Sequence, residues 1–227
     1  MKLLAIETAS DACSCALLVD EVRFERHRIA PRRHAELVLS MVKELLDESG
    51  IELAHLDALA FGRGPGSFTG VRVAAGVIQG LAYGANLPVV PVSSLQALAQ
   101  GCYRENGSAR VLAAFDARMG EVYWGVYEAD ASGLMTARVD DLATAPDAVP
   151  LPSGGGWLGA GEGWRVYPGE LAARIGEKLA GTEPDRLARA LDVATLAVAA
   201  HARGDSVSAA LALPVYVRNK VARKRGE

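Results

Sequence analysis

Cysteine is scarce in this chain: Cys13, Cys15 and Cys102 are the only three in 227 residues. An odd count, with two in one apolar run, fits a reducing compartment better than a disulfide framework. Cys13 and Cys15 have the spacing of half a metal site, but neither a Cys-x-x-Cys nor a histidine cluster supplies the other half. They read as buried small hydrophobes. Histidine is as thin. His27, His34, His55 and His201 contain no pair spaced i, i+3 or i, i+4, so a two-histidine metal site on one helix is excluded. Ser67 has no obvious His-Asp company, so no hydrolytic triad is visible.

Charge gives no global direction either. The net charge is −3 and the sequence pI about 5.9, so nucleic acid or an anionic membrane would need a local patch. The N-terminal MKLLAIETAS has too short an apolar run for a signal peptide before Glu7 interrupts it. From Val73 to Tyr103 no residue is charged. A spanning helix needs about 20 predominantly apolar residues, and this run is broken by Gln79, Asn86, Pro88, Pro91 and Ser93. It reads as buried helix, turn and strand, and the protein is expected to be cytosolic, with no membrane partner.

What is present is a regular order of elements. LLAIET, CSCALLV and VRFERHRI read as three strands within residues 2–29, the last two separated by an Asp20-Glu21 turn. Pro31 is expected to open a helix whose Leu37, Val38, Met41, Val42, Leu45 and Leu46 form one apolar stripe, stopped by Gly50. LDALAFG is the next strand, Ser67 or Thr69 caps a second helix, PVVPV is a short strand, and Ser93 or Ser94 starts a third helix. The order βββαβαβα is that of the α/β ribonuclease-H-like lobe repeated in the actin, sugar-kinase and Hsp70 superfamily, an analogy of fold and not of function. VLAAFDA and EVYWGVYEA open a second lobe around an Arg-Met-Gly turn. Residues 129–163 read as looser, and LAARIGEKLA and PDRLARALDVATLAVAAHAR as two helices, so the second lobe is expected to be shortened. The expected lobes are 1–105 and 106–227, the last segment packing back on the first lobe.

In that superfamily, phosphates sit between lobes on the two opening hairpin turns. Here those are Glu7-Thr8-Ala9-Ser10 and Asp116-Ala117-Arg118-Met119-Gly120. A hydroxyl-rich turn with free N–H groups can bind an anion, but Glu and Ala stand where Asp and Gly would let phosphate approach the backbone. Glu7, Thr8, Ser10 and Asp116 therefore outline a vestigial nucleotide site, with weak ATP or ADP binding and no required cofactor. The loop GRGPGSFTGVR at 62–72 lacks the Gly-Lys-Ser/Thr of a Walker loop. Beyond it Gly76, Gly80 and Gly84 recur on one helix face, although each glycine costs a helix about 1 kcal/mol against alanine. Two readings stay open: close packing against the lobe's own sheet, or a helix–helix interface with a partner.

The chain resembles the TsaB (YeaZ) family, bacterial subunits that help make threonylcarbamoyladenosine in tRNA. The resemblance runs through "LAIETAS" at 4–10, "RRHAELVLSMV" at 32–42, "GRGPGSFTGVRVAAGVIQGLA" at 62–82, "DARMGEVYWGVY" at 116–127 and "PVYVRNKVA" at 214–222. The glycine-loop segment is the most specific. The resemblance implies an actin-like two-lobe fold and a non-catalytic role beside a catalytic paralogue, TsaD, which carries a helical His-x-x-x-His metal site. It implies docking on TsaD through the two N-terminal-lobe helices, 33–48 and 67–84 here, with the ATPase TsaE joining. Leu37, Met41 and Leu45 on the first helix, and Val73, Gly76, Val77, Gly80, Leu81 and Gly84 on the second, are the expected interface. The family has also been labelled peptidase-like, against which the absent metal pair and triad argue.

Two rivals stand beside this reading. One is a nucleotide-dependent kinase or ATPase using Glu7, Thr8 and Asp116 with a metal ion. The other is a homodimeric binding module using the same two helices. Arg218, Lys220, Arg223, Lys224 and Arg225 form a basic tail able to make a few phosphate contacts, so tRNA contact is expected only within the assembled complex.

Overall fold

The computed structural model describes residues 1–218. Its first sheet is made by β1 (Lys2–Glu7), β2 (Ala12–Val19), β3 (Val22–Ile29), β4 (Ala58–Gly62) and β5 (Val89–Val92), in the order β3-β2-β1-β4-β5. The first three strands are antiparallel, with Leu4 opposite Leu17, and β4 and β5 continue the sheet in parallel with β1. β1 is central and buried on both faces, so its side chains divide by strand period. Leu4 and Ile6 join one core with α1 (His34–Ser49) and α2 (Phe68–Ala85). Leu3 and Ala5 join another on the opposite face, with α3 (Ser94–Asn106) and α6 (Ala190–Ala202).

The second sheet repeats the connectivity. It contains β6 (Arg110–Arg118), β7 (Glu121–Ala129), β8 (Met135–Ala137), β10 (Trp157–Ala160) and β11 (Leu179–Glu183), ordered β11-β10-β6-β7-β8, while β9 (Leu142–Thr144) also pairs with β7. Where the first lobe has α1, the second has only a 3-10 turn at Pro146–Ala148. Two short helices, α4 (Gly163–Val166) and α5 (Pro168–Ile175), follow β10. Trp124, Trp157 and Trp164 fill the core on this outer face, the rings of Trp124 and Trp164 centred 6.0 Å apart.

The two lobes share a middle layer. α6 lies against β1, β2, β4 and β5, α3 lies against β6, β7 and β8, and the two helices pack on each other. Val111, Ala113 and Phe115 of β6 enter the same core as Leu3 and Ala5 of β1. Asp192 in α6 is 1% exposed and is held by Arg104 of α3 (Nε to Oδ1, 2.8 Å). Burial pushes the Asp192 carboxyl upward, while Arg104 pulls it back. All three cysteines are free and buried. The uncharged run 73–103 forms most of α2, β5 and most of α3, and among the described residues no helix is long and apolar enough to cross a membrane.

Three local expectations need correction. α1 begins at His34 rather than at Pro31, with Arg33 at its N-cap. Residues 129–163 hold β8, β9 and β10 rather than loose chain. LAARIGEKLA is not one helix: Gly176, at φ +60, ends α5, residues 179–183 form β11, and the next helix starts only at Ala190.

Candidate docking face and inter-lobe cleft

The glycine loop leaves β4 at Gly62 and enters α2 at Phe68, with Ser67 Oγ accepting from Gly70 N (3.3 Å) as the cap. That bond occupies the Ser67 hydroxyl structurally. The loop lies directly on the first turn. Ser67 N donates to the Ala9 carbonyl (2.7 Å), and Thr8 Oγ1 donates to the Gly70 carbonyl (2.8 Å). A β-carbon at Gly62 would overlap Glu7 Oε2 and fall 2.8 Å from Ser94 Oγ, and one at Gly70 would strike the Thr8 carbonyl. These two glycines therefore admit the protein's own first turn. Their absent side chains are explained without a phosphate.

The cleft residues are correspondingly engaged. Glu7 is fully buried, its Oε1 accepting from Ala9 N (2.6 Å) and its Oε2 from Ser94 Oγ (2.7 Å). Burial raises the Glu7 carboxyl above its ordinary value, and the bonds from Ala9 and Ser94 oppose the rise. Thr8 is buried, and Ser10 Oγ accepts from Ala12 N (3.3 Å). Asp116 is tied to its own turn: Oδ1 accepts from Arg118 N (2.8 Å) and Oδ2 pairs with Arg118 Nη1 (2.9 Å). Among the described residues no hydrogen bond joins Asp116 to Glu7, Thr8 or Ser10, and no group of three His, Cys, Asp or Glu is arranged to hold a metal ion.

Sequence reading leaves out several polar groups. Glu162, in the glycine-rich GEGW segment, has its carboxyl raised by burial first and then by the Asp116 and Asp11 carboxylates. Ser93 Oγ and Tyr127 OH both donate to Asp141, Ser93 at 2.5 Å, tying the end of β5 to β7. Burial raises both Asp141 and Tyr127. Nothing in local spacing marks these contacts, since they join residues 14 and 48 positions apart.

α1 and α2 form the outer face of the first lobe. Among the described residues, a β-carbon on Gly76, Gly80 or Gly84 would meet nothing within 4 Å, so the stripe points outward. The reading in which those glycines pack on their own sheet is overturned; Ala74, Ala75, Ile78 and Ala82 do that packing. Val73, Val77 and Leu81 are half-buried beside the stripe, as is Leu37 on α1. Met41 and Leu45 are a correction. Both are fully buried in the lobe core, because their turns of α1 face the sheet, and neither is available to a partner. The exposed apolar side chains that sequence reading omits are Leu39 (55% exposed), Phe68 (62%) and Tyr83 (86%). Arg218 is also corrected: it pairs with Glu121 in the second lobe and belongs to the fold, while Lys220, Arg223, Lys224 and Arg225 lie outside the described residues.

Two lobes of matching ribonuclease-H-like connectivity define an actin-like α/β protein. A family model described as TsaD, tRNA N6-adenosine threonylcarbamoyltransferase, matches residues 25–199. The chain is 43% identical to a tRNA threonylcarbamoyladenosine biosynthesis protein TsaB of Escherichia coli (strain K12), over 99% of this chain and 98% of that protein. It is 37% identical to the Haemophilus influenzae protein of the same name, over 99% and 97%. A solved YeaZ from Pseudomonas aeruginosa superposes with a TM-score of 0.88 at 45% identity, over 95% of this chain and 99% of that one. A second Pseudomonas aeruginosa structure, described as similar to peptidase YEAZ, gives 0.89 at 45% identity over 96% and 99%. The chain belongs to the TsaB (YeaZ) family.

Proposed function

We propose that this protein is a non-catalytic, activating subunit in the biosynthesis of threonylcarbamoyladenosine in tRNA. It pairs with a TsaD-type catalytic paralogue through α1 and α2, and through that partner with a TsaE-type ATPase. It touches tRNA only within the assembly and needs no cofactor of its own. The observation that carries this is the open glycine stripe of α2, with exposed Phe68 and Tyr83 on the same helix and exposed Leu39 on α1. Small residues let a second helix approach closely, and no neighbour among the described residues uses that room. A second copy could seat on the same face, so a homodimer is the competing occupant.

The kinase or ATPase alternative is disfavoured by Glu7 and Thr8, whose side chains are buried and hydrogen-bonded inside the first lobe. A peptidase is disfavoured by Ser67, whose hydroxyl caps α2, and by His201, whose Nδ1 is paired with Ser206 Oγ (2.8 Å). The test is reconstitution with purified TsaD-type and TsaE-type proteins, tRNA and the threonylcarbamoyl donor. Modification that requires this chain, together with none by the chain alone, supports the subunit reading. Modification by the chain alone, or magnesium-dependent ATP turnover by it, would overturn that reading.

A further inference from the structure

The last described residues cross from one lobe to the other. Val207 bridges Val89 at the edge strand β5, and Val215 N then donates to the Arg63 carbonyl of the glycine loop (2.8 Å). The next ring, Tyr216, is centred 6.1 Å from that of Phe68, the first residue of α2. The Arg72 guanidinium sits 3.2 Å from the Phe68 ring centre and 5.2 Å from that of Tyr216. Two residues on, Arg218 has reached the second lobe. Its Nε and Nη2 donate to Glu121 Oε2 (2.9 and 2.6 Å), and Nη2 also donates to the carbonyls of Ala117 and Arg118 (2.8 and 3.2 Å).

The turn that Arg218 grips is the β6–β7 hairpin, where Arg118 and Met119 both have positive φ. A planar guanidinium fork can gather a carboxylate and two carbonyls at once, and a lysine cannot reproduce that pattern. The same turn carries the Arg118 side chain and backbone N–H that fix Asp116. A continuous set of contacts therefore joins the exposed start of α2 to the β6–β7 turn of the other lobe, through Tyr216 and Arg218.

We propose that residues 213–218 form a strap that couples the docking end of α2 to the β6–β7 turn of the second lobe. A partner seated on Phe68, Arg72 and Tyr216 then also sets how firmly the turn at 117–121 is held against the first lobe. The identity of that partner rests on the docking reading above; the strap itself does not.

Hydrogen exchange on the full chain, without partner, tests the strap in wild type and in Arg218→Ala, Arg218→Lys and Tyr216→Ala. Arg218→Ala speeds exchange about tenfold or more both at 117–121 and in the loop at 62–67, while central β1 and β6 keep their protection. Arg218→Lys gives an intermediate rise and guards against a variant that simply fails to fold. Tyr216→Ala, which removes a ring whose partners Phe68 and Arg72 lie in the first lobe, also raises exchange at 117–121. Wild-type exchange at 117–121 in Tyr216→Ala, or at 62–67 in Arg218→Ala, would overturn the coupling. A wild-type chain that captures no TsaD-type protein, with the linked exchange changes intact, would instead count against the docking reading alone.

Discussion

Gly62 sits so close to Glu7 that any β-carbon at residue 62 would overlap the Glu7 carboxylate. The glycine loop and the first hairpin turn are in this sense one packed unit. Gly62→Ala should destabilise the protein by on the order of 3 kcal/mol, the upper end of the range for overpacking a rigid site. Urea unfolding checks this, and a wild-type midpoint would show that Glu7 can move aside.

Glu7 also makes a prediction about pH. Its folded-state carboxyl is raised, chiefly by burial. Its contribution to stability is therefore fully present below the unfolded carboxylate value and is lost as pH rises through the folded one. Glu7→Gln keeps one acceptor and removes the titration, so the stability of the variant relative to wild type should grow as pH rises from about 4 to about 8. A difference that stays constant across that range would show that burial of the ionised group carries no cost.

The Arg104–Asp192 pair holds α3 to α6 between the two sheets. Arg104→Ala leaves the Asp192 carboxylate buried without its cation and should cost about 3 kcal/mol at neutral pH. The loss should shrink in acid, because Asp192 can then protonate. Unfolding at about pH 5 and about pH 8 checks both parts. An equal loss at the two values would point to missing packing by the arginine stem.

Truncation after Ala222 removes Arg223, Lys224 and Arg225. If these reach phosphate, tRNA binding by the assembled complex weakens, and its logarithmic salt slope falls by roughly 0.7–0.9 for each phosphate left without its cation. An unchanged slope would mean that this part of the tail is solvated. Arg218 stands apart, because it is held by Glu121 and two carbonyls.

The first lobe is legible in the sequence because its signals are local. The Asp20-Glu21 turn, the α1 stripe and the Ser67 cap each lie within a few residues of what they specify. The second lobe is less so. β10 and β11 are short, flanked by glycines or half-buried, and the helical pattern of LAARIGEKLA hides a break at Gly176. At the candidate site, periodicity puts Met41 and Leu45 on an apolar stripe, but a stripe cannot say whether it faces its own sheet or a partner. Arg218 and Asp141 are invisible for another reason: their partners Glu121 and Ser93 lie 97 and 48 residues away in the sequence.

Docking through α2 is tested most directly at Gly80. Leucine there should leave the melting temperature unchanged or raise it by about 1–3 °C, because the position is open and leucine favours helix more than glycine does. The same side chain would fill the space a partner helix must enter. Affinity for the TsaD-type partner, measured beside the melt, should fall at least about 100-fold, or about 2.8 kcal/mol. Wild-type affinity in a normally folded Gly80→Leu protein would contradict docking through this face.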